Sequence, residues 1–344
     1  MTAPPHTPEL AVDVAGLRKQ FKVRPALLGG KPQVVHAVSD ISFGLLRGGT
    51  LGIVGESGCG KSTLARLLMG LIEADAGQVV MGGQTLGHRP EQLTAVRRVT
   101  QMVFQDSFAS LTPRLTVEDS IVFGPSVHGV RRSDARRDAH KLLAQVGLAP
   151  ERFAGRYPHE LSGGQRQRVN IARALALKPE IVIFDEAVSA LDKSVELQVL
   201  NLLMDLKAEL GLSYLFISHD LNVVQYISDQ VMVMYLGKIV EIGPVASVYA
   251  QPAHPYTRAL LASMPSMDPR RRTAVPPIVG DPPSPIDPPS GCRFRTRCPH
   301  AEARCAEAEP LLQKAAAGSH LAACHLLPFM PASASFSVAS GVLA

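Results

Sequence analysis

Gly55-Glu56-Ser57-Gly58-Cys59-Gly60-Lys61-Ser62-Thr63 is the stretch that decides the fold of this chain. It fits G-x-x-x-x-G-K-[ST], the phosphate-binding P-loop. The flanks fit as well. Thr50 to Val54 is a short apolar run, read as a buried parallel strand, and Leu64, Leu67, Leu68 and Leu71 follow at helical spacing. Gly55, Gly58 and Gly60 let the backbone bend so that its N–H groups converge on phosphate oxygens. The start of the helix adds unpaired N–H donors and a partial positive charge. Lys61 brings a full charge to the β/γ-phosphates, and the Ser62 hydroxyl suits Mg²⁺.

Outward from this loop the chain alternates strands and helices. Leu10 to Val23 and Val34 to Leu46 read as strands, and Gly77 to Leu86 as a hairpin. Arg97 to Gln105 reads as a strand ending at Gln105. Residues 106–160 are more polar and helical, with a basic run from Arg131 to Arg137 read as a solvated helix face. Ile181 to Phe184 is a continuous apolar run, as buried parallel strands are, and it ends in Asp185-Glu186. Ser213 to Ile217 is the next strand, followed by Ser218-His219-Asp220. Val231 to Ile242 reads as a hairpin, and Val245 to Met264 as interrupted helix. Seven prolines between Pro276 and Pro289 mark a stiff linker.

Composition narrows the function classes. The chain has 344 residues, 46% hydrophobic and 19% charged, an ordinary globular balance. No apolar run is long enough to span a bilayer. Met1 to Glu9 lacks the apolar segment of a secretory signal, so the cytoplasm is expected. A net charge of +5 and the absence of tryptophan do not favour a nucleic-acid partner. Four of the five cysteines lie together as Cys292, Cys298, Cys305 and Cys324, spaced C-x5-C-x6-C-x18-C. Clustered cysteines in a cytoplasmic chain suggest metal ligands. Zinc fingers use tighter pairs, and four thiolates also suit an iron–sulfur centre. His325 is an alternative ligand, and unliganded small hydrophobes are a third reading.

Further motifs complete the set. Leu161-Ser162-Gly163-Gly164-Gln165 precedes a helix, and Ser189-Ala190-Leu191-Asp192 follows the acidic pair. With the P-loop, Gln105, Asp185-Glu186 and His219, these resemble the ATP-binding subunit of an ABC transporter over roughly residues 10–325. Tyr157-Pro158-His159-Glu160, His254-Pro255-Tyr256-Thr257 and the run from Pro283 to Cys298 are similar to the dipeptide, oligopeptide and nickel importers in particular. Ala187 departs from the usual proline.

The resemblance implies an α/β P-loop NTPase of the ABC cassette type. Its parts are a RecA-like core, an antiparallel β subdomain, a helical insertion and a small cysteine-rich C-terminal module. The chain then divides into a disordered tail 1–9, an ATPase domain 10–243 with its helical part near 106–160, and a helical extension 244–275. A proline-rich linker and cysteine module 276–330 and a disordered tail 331–344 follow. ATP, Mg²⁺ and a [4Fe–4S] cluster are the implied cofactors, the cluster on Cys292, Cys298, Cys305 and Cys324. Nucleotide contacts fall to Phe21, stacking on adenine, to Gly55, Glu56, Ser57, Gly58, Cys59, Gly60, Lys61, Ser62 and Thr63, and to Gln105 and Asp185. A core phenylalanine is the lesser alternative for Phe21. Ser62, Gln105 and Asp185 would hold Mg²⁺. Glu186 would be the general base, with His219 on the γ-phosphate and Gln105 and Lys61 assisting. Ser162, Gly163, Gly164 and Gln165 would face the nucleotide of a second ATPase subunit. Asp192 would order that interface or cap the helix after it. Two permeases and, indirectly, an extracytoplasmic solute-binding protein complete the expected partners, placing the chain at the cytoplasmic face of the membrane. Import of dipeptides or oligopeptides is the function the resemblance implies, with nickel or another small solute as the alternative cargo. A soluble ATPase of translation or repair, and a module that holds ATP without turnover, are the alternatives.

Overall fold

A computed structural model describes residues 9–23, 33–264, 280–315 and 318–327. The two expected disordered tails, Glu9 apart, the loop 24–32, and residues 265–279 of the expected extension and linker lie outside the described residues.

Strand β3 (Thr50–Val54) is buried along its whole length. It sits inside the larger sheet, whose order is β11-β12-β10-β9-β3-β8-β7-β6. The members are β6 (Thr100–Val103), β7 (Ile181–Asp185), β8 (Ser213–Ile217), β9 (Gln230–Tyr235), β10 (Lys238–Pro244), β11 (Gln313–Lys314) and β12 (Leu321–Ala322). β3, β6, β7 and β8 run parallel, and β9 and β10 form the antiparallel hairpin. The twofold period of a strand divides the core. Ile181, Ile183, Leu215, Ile217, Met232 and Met234 pack into one hydrophobic cluster. Their alternates Val182, Phe184, Tyr214, Phe216, Val231 and Val233 pack into the other. Continuous apolar runs are therefore required here, because both faces of the sheet are covered.

A second, four-stranded antiparallel sheet has the order β2-β1-β4-β5, from β1 (Leu10–Val23), β2 (Gln33–Leu46), β4 (Ala76–Met81) and β5 (Gln84–Thr85). Phe21 pairs with Val35 across its first two strands. The P-loop feeds α1 (Lys61–Leu68), one turn shorter than the leucine spacing suggests, and Leu71 is exposed beyond a left-handed Gly70. α2 (Pro90–Val99) takes the residues Arg97 to Val99 that read as strand. Only Val96 of this helix is buried, so its periodicity is faint. The helical insertion is α3 (Val117–Val127), α4 (Arg132–Gln145) and α5 (Pro150–Phe153). Thr116 caps α3, its hydroxyl accepting the Asp119 N–H at 3.1 Å. α6 (Gly163–Leu175), α7 (Lys193–Leu210) and α8 (Leu221–Ile227) cover the main sheet. α9 (Val245–Ala250) and α10 (Pro255–Ala262) follow its last hairpin, and α11 (Arg304–Glu307) lies in the tail.

The cysteine-rich tail is not a separate module. β12 adds to the main sheet by pairing with β10, and Phe294 is buried in the same cluster as α7 and β7. The Phe294 ring stands edge-on to Tyr235 at 5.3 Å. A segment this short buries little on its own, so it uses the core of its neighbour.

The tail is fastened by a buried acid. Glu241 on β10 is fully buried and accepts the N–H groups of Ala253 and His254 at 2.7 and 2.8 Å. His320, beside β12, lies 2.6 Å from the same carboxylate through Nε2. His254 begins α10, its Nδ1 accepting the Tyr256 N–H at 3.1 Å. Burial pushes the His254 imidazole down to about 4, against the pull of Glu241. An unfolded histidine titrates near 6.5, so the unfolded chain takes up a proton that the folded one refuses between about 6.5 and 4. Stability is full above this window and falls as pH drops through it. His254→Asn keeps a cap acceptor and removes the titration. Its melting temperature is expected to fall less than the wild type's between pH 7 and pH 5, as measured by calorimetry; parallel curves would contradict this.

Candidate nucleotide site

The carboxyl ends of four adjacent parallel strands bring the site together. The P-loop leaves β3, Ser218-His219 leaves β8, Asp185-Glu186 ends β7, and Gln105 lies just past β6. Ligands of parallel sheets bind at this edge. A cavity of about 370 Å³ opens there. It is lined by Ser57, Gly58 and Gly60 to Thr63 of the P-loop, by Gln105 and Glu186, and by Phe21, Val35 and Ala37 with Pro285.

The loop is shaped by its glycines. Gly60 has φ 107°, and a Cβ there would lie 2.2 Å from the Ala37 carbonyl oxygen. Gly55 is equally tight against the Met234 carbonyl. Both positions exclude a side chain. Lys61 is buried, with its ammonium donating to the carbonyls of Gly55 at 2.7 Å and Glu56 at 3.0 Å. These oxygens hold the cation at the loop, where an arriving phosphate can take their place. Cys59 is buried beside it, and burial pushes its thiol up, so it is a neutral packing group.

Ser62 donates to Asp185 at 2.9 Å. Burial pushes the Asp185 carboxyl above its usual range, opposed by the Ser62 hydrogen bond, while the neighbouring Glu186 charge adds to the rise. A hydroxyl, an amide oxygen and a carboxylate are hard oxygen donors, the set that Mg²⁺ takes. Glu186 stands at the mouth. Its carboxylate accepts from Gln105 Nε2 at 3.0 Å and lies 3.4 Å from His219 Nδ1. Its backbone has φ 50°, uncommon for a residue with a side chain, which turns it out of the strand direction. Ala187 behind it is buried, and the turn closes through the Ser189 hydroxyl on the Glu186 carbonyl at 2.9 Å.

Phe21 is partly exposed on the cavity wall and is not a core residue. His219 reaches the site through Glu186, and Asp185 through Ser62. Ser162, Gly163, Gly164 and Gln165 are not on the cavity. They form a capping box, with Ser162 N–H donating to the Gln165 amide oxygen at 3.0 Å and the Ser162 hydroxyl accepting Gln165 N–H. A Cβ on Gly164 would meet Val195 at 2.5 Å, so the glycine seats α6 against α7. Asp192 is exposed at the start of α7 without a side-chain cap bond, which leaves its carboxylate outward. Val35 reaches the cavity as the strand partner of Phe21, a pairing set by the sheet register. Pro285 carries no local signal, because only the tertiary fold returns it to the cavity.

The expected [4Fe–4S] cluster does not fit. Cys292, Cys298, Cys305 and Cys324 do line one cavity, but its volume is about 10 Å³. That is about the space of one water molecule. No group of three or more His, Cys, Asp or Glu among the described residues is arranged to hold a metal ion. Burial pushes the Cys292, Cys298 and Cys324 thiols up, Cys292 to about 11. His325 turns to the Ala308 carbonyl oxygen at 2.9 Å.

The sequence and fold have known relatives. The "ABC transporter" family model matches residues 38–189, and that of the "Oligopeptide/dipeptide transporter, C-terminal region" matches residues 240–305. A probable peptide ABC transporter ATP-binding protein, y4tS of Sinorhizobium fredii, is 52% identical over 87% of this chain and 85% of its own. The oligopeptide transport ATP-binding protein AppF of Bacillus subtilis is 49% identical over 92% and 98%. OppF of Escherichia coli is 46% identical over 89% and 93%. Among solved structures, cbiO1 of Clostridium perfringens, part of an ABC transporter complex, matches with TM-score 0.61 at 26% identity, over 70% of this chain and 91% of its own. The cassette MJ0796, in a dimeric post-hydrolysis state with ADP and Pi, matches with TM-score 0.59 at 27% identity, over 68% and 98%. With a P-loop, an acidic strand end and a glutamine and histidine converging on one glutamate, the chain belongs to the ABC transporter family, as one of its ATP-hydrolysing subunits.

Proposed function

We propose that this chain powers the import of dipeptides or oligopeptides by hydrolysing ATP at the P-loop cavity. One observation carries the hydrolytic part: the Glu186 carboxylate stands at the mouth of that cavity, oriented by Gln105 and His219. The match of residues 240–305 to a peptide-transporter C-terminal region, and the names of the relatives, support peptide cargo. A nickel or other solute importer shares the same ATPase, and cargo choice rests with subunits outside this chain.

In the proposed cycle adenine stacks on Phe21, and the phosphates lie over Ser57 to Thr63. Lys61 leaves the Gly55 and Glu56 carbonyls for the β/γ-phosphate oxygens. Ser62, Gln105 and Asp185 would hold Mg²⁺, which when bound neutralises phosphate charge. Glu186 takes a proton from water as that water's oxygen bonds to the γ-phosphorus. The bond from phosphorus to the β,γ-bridging oxygen breaks, giving ADP and phosphate. His219 contacts the γ-phosphate oxygens.

Residues Ser162 to Gln165 lie off the chain's own cavity, which supports a role on a second subunit's nucleotide. The dimeric ATP-binding cassette among the structural relatives supports the same reading. Separation of the two subunits after hydrolysis would move the permeases. No helix among the described residues is long and apolar enough to cross a membrane, so the membrane location proposed here is through those permeases, at the cytoplasmic face. The test is ATP turnover by the chain assembled with its permeases in vesicles. A peptide-loaded binding protein is expected to raise turnover severalfold. Stimulation by another solute but not by peptides would reject the cargo assignment, and a chain that captures no permease would reject the importer role.

A further inference from the structure

The C-terminal segment reaches back to the P-loop at one residue, Glu56. All three polar parts of that residue are engaged. Its N–H donates to the Tyr256 hydroxyl at 2.8 Å, from α10. Its carbonyl accepts the Lys61 ammonium at 3.0 Å and the Cys59 N–H at 3.3 Å. Its carboxylate accepts the two outer nitrogens of Arg297, at 2.8 and 3.1 Å. This is a fork-on-fork pair, the most directional ion pair available to a protein. The Arg297 side chain is 7% exposed and that of Glu56 is 23% exposed, so the pair is only lightly screened. Tyr235 and Tyr256 wall it in, with ring centroids 4.6 Å apart, and both pack on Phe294 of the same segment.

We propose that Arg297 is a positioning residue of the nucleotide site: through Glu56 it fixes the first bend of the P-loop and the carbonyl that parks Lys61. The inference rests on the ATPase reading above. The fork holds the carboxylate in two directions, and the Tyr256 hydroxyl holds the amide of the same residue. The bend from Gly55 to Ser57 is therefore set by side chains about 200 residues and more away in sequence. A second contact of the same tail supports this: the His36 N–H donates to the Pro285 carbonyl at 2.9 Å, and Pro285 lines the cavity. A bend left free would have to be ordered by each arriving nucleotide, and that ordering subtracts from affinity. The tail thus pre-organises the site and does not touch the reacting atoms.

The test is MgATP binding and turnover by the full chain carrying Arg297→Gln, Arg297→Lys, Glu56→Gln, the double glutamine variant, and Arg295→Gln. Arg295 lies in the same segment, and among the described residues its guanidinium bonds Ser290, at 2.9 Å to the carbonyl and 3.3 Å to the hydroxyl, so it controls for loosening of the segment. Arg297→Gln is expected to weaken MgATP binding about tenfold, with the maximal rate per bound nucleotide changed less than about threefold. Glu56→Gln should do the same, the double variant no more than either single, and Arg297→Lys should recover part of the loss. Arg295→Gln should bind as the wild type does. Wild-type affinity in Arg297→Gln, additive losses in the double variant, or an equal loss in Arg295→Gln would overturn the proposal. Failure of the wild-type chain to bind MgATP would overturn the ATPase reading and this inference with it.

Discussion

Glu186→Gln is expected to lower steady-state ATP turnover by roughly 10²- to 10⁴-fold, the usual contribution of a positioned general base. The substitution keeps size and one carbonyl oxygen, which can still accept from Gln105 Nε2. It removes the group that takes the proton from water. None of the loop contacts to phosphate passes through this side chain, so MgATP affinity should stay within about threefold. A retained γ-phosphate should also lengthen the life of the two-subunit state. Phosphate release and equilibrium nucleotide binding on the same sample measure both halves. The backbone at Glu186 already has φ 50°. Glutamine bears that conformation no worse, so the comparison isolates the carboxylate. Turnover within tenfold of the wild type would remove Glu186 from its role.

Glu241→Ala is expected to cost about 3–5 kcal/mol of stability, among the largest values for a single substitution. The carboxylate is fully buried and accepts from Ala253 N–H, His254 N–H and His320. Alanine leaves two buried backbone donors and an imidazole without an acceptor, and a void where the carboxylate was. It also removes the side-chain tie between β10 and the tail, since His320, beside β12, bonds this carboxylate. Chemical denaturation should report the loss, with Glu309→Ala as a control. Glu309 bonds Lys238 half-exposed at the surface and should shift stability by less than about 1 kcal/mol. A shift below about 1 kcal/mol for Glu241→Ala would show that this tail is held by something else.

The site was more legible than the fold around it. Lys61, Ser62, Gln105, Asp185 and Glu186 each sit at a strand end or a glycine turn, and those leave local marks: an apolar run that stops, then a polar group. The structure places Lys61, Ser62, Gln105 and Glu186 on one cavity, with Asp185 bonded to Ser62 beside it. β7 and β8 were equally plain, because both of their faces are buried, which gives the runs Ile181 to Phe184 and Tyr214 to Ile217. α2 was not legible, because it lies on the surface and buries one valine. The C-terminal segment misled the reading. Its cysteine spacing suggested a metal-bound module, yet Phe294 and β12 join the core of the cassette. Cys305 and Cys324 are buried as small apolar groups. Spacing along a chain cannot tell a ligand from a packing residue; the size of the cavity between the thiols can. Pro285 and Arg297 illustrate the same limit from the other side. Both lie in the run that carries the importer resemblance, but what they touch is set by where the fold returns them.

The central claim is that this chain is an ATPase whose site is completed by a second subunit. The most direct test is specific ATPase activity across a protein-concentration series, for the chain alone and mixed with the second ATPase subunit of its transporter. Ser162 to Gln165 lie away from the chain's own cavity, so activity per molecule should rise with concentration in one of the two series, then level as the dimer saturates. Constant activity per molecule down to high dilution, from a chain that sediments as a monomer with MgATP bound, would contradict the account.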